Sequence, residues 1–346
     1  VYELSRLGAK PAGDQGTFFQ RIDLQRPRLS PTQSLVSVGS LEVKGDALEG
    51  NGVADGTGQL VIVRDNLDGI DVKGKVVLLP TDARPSMESR CSSAGALATI
   101  RDSGWPSAAW RTKPRRGGWE MPNPSRTLST DPARISVSSD TFRSLMEAQA
   151  ADPAATAKVK AVPEFETMAT QNVVALVEGS DPQLKEEMVA LGAHYDHVGT
   201  RASGPDRIFN GADDDGSGTV ALMGIAEAAL SGPRPKRSLL FVWHCGEEKG
   251  LWGSAYFNTH PTVPVSKIVA QLNIDMIGRS KAEGDTNQRN KNLTGPQSVY
   301  VIGTTMMSTR LGQLVHETNK SFLKFGYDSR YDSPDDREQF FYRSDN

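Results

Sequence analysis

Met188-Val189-Ala190-Leu191-Gly192-Ala193 runs directly into His194-Tyr195-Asp196-His197. An apolar run of strand length that ends in a polar, imidazole-bearing turn reads as a buried strand with chemistry at its carboxyl end. The same pattern recurs on either side. Asn172 to Val177 precedes it as another buried strand, and Leu239-Leu240-Phe241-Val242-Trp243 follows, leading into Cys245-Gly246-Glu247-Glu248-Lys249-Gly250. Between them, Asn210-Gly211-Ala212-Asp213-Asp214-Asp215-Gly216-Ser217-Gly218 opens a run from Thr219 to Leu230 with helical periodicity, stopped by Gly232-Pro233. Further on, the patterns predict a helical turn at Trp252 to Asn258, strands at Ile268 to Asp275 and Val299 to Ile302, and a helix from Met306 to Leu323. Strands separated by helices predict an α/β protein with a doubly wound, mostly parallel sheet and helices on both faces. Such sheets bind ligands beyond the carboxyl ends of their strands.

The N-terminal third has a different texture. After a Gly- and Pro-punctuated start with an extended segment at Phe18 to Leu24, short β-like runs follow at Gln59 to Val63, Lys75 to Leu79 and Arg134 to Ser138. A helical patch is expected at Ala94 to Ile100, and a long loop at Arg111 to Pro132. The expected divisions are 1–44, an N-terminal part of the main domain; 45–162, a small β-rich insert; and 163–346, the rest of the main domain. The start at Val1, without an initiator Met, suggests a processed or partial form. With 346 residues, 37% hydrophobic and 23% charged, the chain has the composition of a globular protein and room for two domains.

The net charge of -3 and a densest basic tract of only Lys113-Pro114-Arg115-Arg116 argue against a nucleic-acid partner. No apolar run reaches the roughly 18 residues of a membrane span. Two cysteines, Cys91 and Cys245, are too few for a disulfide framework and lack metal-ligand spacing.

His194, the pair Glu247 and Glu248, and Asp275 each stand at or just past a predicted strand end, while Asp213 to Asp215 precede a helix. Each has a plain alternative: a surface turn, a solvated acid pair, or a helix N-cap favoured by the helix dipole. Three adjacent acids exceed what a cap requires, and their repulsion calls for a cation. The acids are consecutive with no Glu at the twelfth position, which excludes a helix-loop-helix calcium loop. Imidazole with carboxylates suits zinc, and this much acid favours two ions about 3.5–4 Å apart.

Ala193-His194-Tyr195-Asp196, Gly211 to Gly218, Gly246 to Leu251 with Gly253-Ser254, and Asn273 to Gly278 closely resemble the successive motifs of the M28 family of co-catalytic zinc aminopeptidases. The resemblance implies that His194 and Asp275 hold one zinc and Glu248 the other, with Asp214 bridging them. Glu247 would be the general base acting on a metal-bridging hydroxide, and Asp196 would orient His194. It implies a last ligand, a His in a Ser-Asp-His motif, where this chain has Ser344-Asp345-Asn346, so either Asn346 replaces that His or the chain is cut around the site. His260 and His316 are weaker substitutes for it. The insert resembles the protease-associated domain that many members carry.

The implied activity is hydrolysis of the N-terminal bond of peptides with a free N-terminus. Alternatives are a carboxypeptidase or glutaminyl-cyclase-like enzyme of the same fold, or a non-catalytic binding homologue that has lost the second metal. The resemblance also implies a secreted or periplasmic protein. Asn292-Leu293-Thr294 and Asn319-Lys320-Ser321 are glycosylation sequons that matter only in a eukaryotic secretory host. Side-chain preference and oligomeric state are not legible in the sequence.

Overall fold

The computed structural model describes residues 1–110, 118–123, 125–201 and 204–346. The basic tract Lys113 to Arg116 lies outside the described residues. The chain divides into two units, Val1–Ile22 with Ala169–Asn346, and Asp23–Met168. Residues 23–44, grouped above with the main domain by their texture, therefore belong to the second unit.

In the first unit, the buried runs pair as anticipated at the centre of the sheet. Met188–His194 lies between Ser238–His244 and Ile268–Asn273, parallel to both. On the far side, Pro163–Val177 runs antiparallel to Ser238–His244, and the two-residue strand Lys10–Pro11 is antiparallel to it in turn. The sheet is thus mixed, and the mostly parallel expectation holds only for its three site-bearing strands.

Alternation along these strands sends side chains to opposite faces. Ala175, Val177, Leu191, Ala193, Phe241 and Trp243 pack with Leu222 and Ala226 of the helix Gly216–Ser231 and with Leu4 of the helix Tyr2–Leu7. Val174, Ala190, Leu240 and Val242 pack on the other face with Phe257 of the helix Trp252–Thr259. Burial on both faces explains why the runs are continuously apolar rather than alternating. Truncating a fully buried residue such as Leu222 is expected to cost about 2–5 kcal/mol.

The predicted strand at Val299 to Ile302 forms as Ser298–Tyr300 but pairs only with Gly326–Asp328, in a separate two-stranded sheet. The expected helix from Met306 is broken at Ser308, whose side chain caps a second helix, Thr309–Ser321.

The second unit carries an eight-stranded sheet in the order Leu41–Lys44, Leu35–Val38, Thr156–Ala161, Ala54–Ile62, Val76–Leu79, Ala98–Asp102, Ala133–Val137, Glu49–Asn51. One side of it packs Phe142 and Leu145 of the helix Ser139–Ala151, and another cluster joins Val77 and Leu79 to Met87 and Cys91 of the helix Met87–Ser93. The helical patch expected at Ala94 to Ile100 is not a helix. Gly95 turns at φ 86°, and Ala98-Thr99-Ile100 enters the sheet parallel to Val76–Leu79, so tertiary pairing overrides a weak alanine-based propensity. Among the described residues no helix is long and apolar enough to cross a membrane.

Candidate metal centre

All three parallel strands deliver acid or imidazole at their carboxyl ends. His194 is the last residue of Met188–His194 and is 1% exposed. Glu247 and Glu248 start a short helical turn just beyond Ser238–His244, and Asp275 stands two residues beyond Asn273. The turn before Glu247 depends on Gly246, at φ 69°, where a Cβ would stand 2.5 Å from the Trp252 ring. A side chain at position 246 would therefore both strain the backbone and strike that ring.

His194 is oriented by main chain. Its Nδ1 donates to the Asp196 carbonyl at 3.0 Å, and its own carbonyl accepts from Thr219 Oγ1 at 2.7 Å. A carbonyl only accepts, so Nδ1 carries a proton and Nε2 is the nitrogen that faces the acids. The Asp196 carboxylate, expected to orient His194, stands 3.9 Å from Nδ1 and instead accepts from the Glu247 amide at 3.0 Å. Its position is therefore to hold the Glu247 turn.

His194 Nε2 lies 3.2 Å from Asp214 Oδ1, 3.7 Å from Asp275 Oδ1 and 3.9 Å from Glu247 Oε2. Asp275 is steadied through its other oxygen, which accepts from Ser344 Oγ at 2.6 Å, and Asn273 Nδ2 donates to the same hydroxyl.

The three consecutive aspartates separate into three tasks. Asp213 accepts from the Gly278 amide at 2.8 Å and pairs with Arg279 at 2.5 Å. Asp215 caps the helix Gly216–Ser231 by accepting from the Gly218 amide, and it also accepts from the Met276 amide. Asp214 alone turns both oxygens to histidines: Oδ1 to His194, and Oδ2 to His197 Nδ1 at 4.0 Å. His197 Nδ1 in turn lies 2.6 Å from Glu248 Oε1. Two groups with donor atoms mutually within ligand reach result, His194 with Asp215 and Asp275, and His197 with Asp214 and Glu248.

His197 received no role from the sequence, although its place three residues after His194 in one turn was the available signal. Asn346, expected at the last ligand position, donates its side-chain amide to the Phe341 carbonyl. His260 stacks on Tyr256 and His316 meets the edge of Tyr327, and neither belongs to these groups.

The electrostatics are those of a site short of positive charge. Burial, then the neighbouring acids, raises the Asp214 pKa, and burial pushes Asp215 and Glu247 up to about 7 and Asp345 up to about 6. For His194, burial opposes charge, yet Asp275, Asp215 and Glu247 push it up to about 10. At the same time His194 Nε2, His197 Nδ1, Glu248 Oε1, Asp215 Oδ2 and Asp275 Oδ1 are buried without a hydrogen-bond partner. Buried polar atoms are ordinarily satisfied. Orphaned nitrogen and oxygen donors converging in a surplus of negative charge fit a bound cation, and this donor set fits zinc. Cys245 is no part of this, since burial raises its thiol to about 11.

An α/β sheet with a histidine and carboxylate cluster at its parallel strand ends defines the metallohydrolase class of site. Residues 172–343 match the sequence model of Peptidase family M28, and the chain belongs to that family. It is 34% identical to leucine aminopeptidase 2 of Trichophyton rubrum over 136 residues, which is 38% of this chain and 25% of that one. It is 33% identical to a probable leucine aminopeptidase of Arthroderma benhamiae over 119 residues, 33% of each chain. These matches span a quarter to a third of the length of the curated relatives. Among solved structures it is similar to a zinc aminopeptidase from Bacillus subtilis, with a TM-score of 0.44 and 17% identity, covering 94% of this chain and 70% of that one.

Proposed function

We propose that this chain is the catalytic part of a zinc aminopeptidase that removes N-terminal residues from peptides. The observation that carries the reading is the convergence of His194 Nε2, Asp275 Oδ1 and Glu248 Oε1, all buried and unpartnered, around the Asp214 carboxylate, with Glu247 alongside. His194, Asp275 and Asp214 would hold one zinc, and Asp214 with Glu248 the other. Zinc supplies Lewis acidity there, acidifying water and polarising a carbonyl.

Glu247 is the general base. Its side chain is 12% exposed, its turn is held by Asp196, and burial leaves its carboxyl near neutrality, where a base can both accept and return a proton. It takes the proton from the attacking water and passes it to the leaving amine. The Asp196 carboxylate and Gly246 keep that turn in position.

The similarity to two leucine aminopeptidases supports action at a free N-terminus. The test is hydrolysis of aminoacyl chromogenic substrates with and without chelator, alongside Glu247→Gln. Loss of turnover in both, with zinc content unchanged in Glu247→Gln, is expected; turnover indifferent to both sinks the proposal. Peptides blocked at one terminus or the other separate this activity from a carboxypeptidase.

The second unit, with its own sheet and cores interrupting the first, is read as the protease-associated-like insert. Secretion or periplasmic residence belongs to the same reading and rests on resemblance alone.

A further inference from the structure

We propose that His197 supplies the imidazole of the second metal position, so that each ion takes one histidine and one terminal carboxylate with Asp214 between them. The inference rests on the two-metal reading above and concerns which residue of this chain completes it.

Asp214 divides its two oxygens between the two rings, Oδ1 at 3.2 Å from His194 Nε2 and Oδ2 at 4.0 Å from His197 Nδ1. Each ring nitrogen has a second acid beyond the shared one, Asp275 Oδ1 for His194 and Glu248 Oε1 for His197. On both sides the facing atoms are buried and lack hydrogen-bond partners. The first side consists of the family's expected ligands, and the second repeats its donor types, one imidazole nitrogen and two carboxylate oxygens, as zinc prefers.

A second feature holds His197 there. Gly211, at φ 62°, lies directly beneath it, and a Cβ at that position would stand 2.8 Å from His197 Cβ and Cγ and 2.8 Å from the Asp214 carbonyl. The glycine lets the histidine turn and the aspartate loop approach each other closely enough to face one point.

The competing account is a metal-free ion pair between His197 and Glu248. At 2.6 Å the two atoms are closer than ligands of one zinc, which at bonds of about 2.0–2.1 Å in tetrahedral geometry sit roughly 3.3 Å apart. Metal binding therefore requires them to part slightly, whereas an ion pair requires alignment that the unpartnered Nδ1 and Oε1 lack.

Zinc stoichiometry decides it. The chain would be stripped with chelator and titrated with Zn²⁺ by calorimetry, and with Co²⁺ by visible absorption, for wild type, His197→Ala, His197→Gln and Glu247→Gln. Circular dichroism melts of the stripped proteins check folding, and His197→Gln keeps the side-chain volume where alanine loosens the turn. We expect two equivalents in wild type and Glu247→Gln. In both His197 variants one equivalent should stay tight while the second weakens by about 100-fold or more, beyond what loss of an outer-shell partner produces.

Two undiminished equivalents in the His197 variants overturn the assignment and leave the two-metal reading standing. A single wild-type equivalent that His197→Ala leaves untouched overturns both the assignment and the two-metal reading. No binding by the folded wild type overturns the two-metal reading and this inference with it.

Discussion

Asn172 is the residue through which packing should control the site most sharply, although it touches no donor atom. It is 0% exposed and makes three hydrogen bonds. Its Oδ1 accepts from the Cys245 amide at 3.0 Å, and its Nδ2 donates to Gln20 Oε1 at 2.8 Å and to the Gly253 carbonyl at 2.9 Å. Those bonds tie both ends of the turn that carries Glu247 and Glu248 to the sheet. Asn172→Ala removes all three and strands three polar partners. A buried group left unpaired costs about 1–3 kcal/mol, and a water entering the vacated space recovers part of that, so the net loss should be roughly 3–6 kcal/mol. Against the 5–15 kcal/mol of a typical domain, that is a large share. Urea unfolding followed by tryptophan fluorescence reads it, with Trp243 and Trp252 reporting on the first unit and Trp105, Trp110 and Trp119 on the second. The two transitions are fitted separately, and only the first should move. Aminopeptidase turnover should fall with it at temperatures where the variant remains folded. A first-unit destabilisation under about 1 kcal/mol, the worth of one ordinary hydrogen bond, refutes the three-bond argument.

Asp196→Ala should lower kcat by about 10- to 100-fold while zinc content stays at the wild-type value, because its carboxylate holds the Glu247 amide rather than His194; weakened zinc binding instead would restore the His-orienting role. The metal-free protein should lose stability as pH rises. Asp215, Glu247 and Asp345 have folded pKa values of about 7, 7 and 6, above their unfolded values near 4, so they bind more protons folded than unfolded across that window and stability declines between pH ~4 and ~7. His194, raised to about 10, extends the decline from pH ~6.5 upward. Zinc reverses the trend, since its ligands must shed protons to bind, and thermal melts with and without chelator across pH would reveal a flat or rising metal-free profile if this is mistaken. Residues 23–168 expressed alone should unfold cooperatively, indifferent to chelator, as expected of a unit with its own cores; a non-cooperative fragment would count against it as an insert domain.

What the sequence revealed of this protein, and what it hid, divides along the range of the interactions involved. The site-bearing strands were legible because a strand buried on both faces writes itself as an uninterrupted apolar run, and their ends were legible because acids follow at once. The fate of Ala94 to Ile100 was not, because the pairing that makes Ala98–Asp102 a strand comes from Val76–Leu79 and Ala133–Val137. The unit boundary at Asp23 was hidden for a similar reason: Leu35–Val38 reaches its partner Thr156–Ala161 across more than a hundred residues. The aspartate triplet carries the point into the site. Adjacent side chains in an irregular turn have no period to assign them, so which acid caps, which pairs and which faces the histidines is fixed by the segment Met276 to Arg279, 61 to 66 residues further on. That segment ties Asp213 with an amide and a guanidinium, and one oxygen of Asp215 with an amide. Asp214 is left with no tie of that kind and both oxygens turned to imidazoles, and it is this difference between three identical neighbours that makes a two-ion site possible.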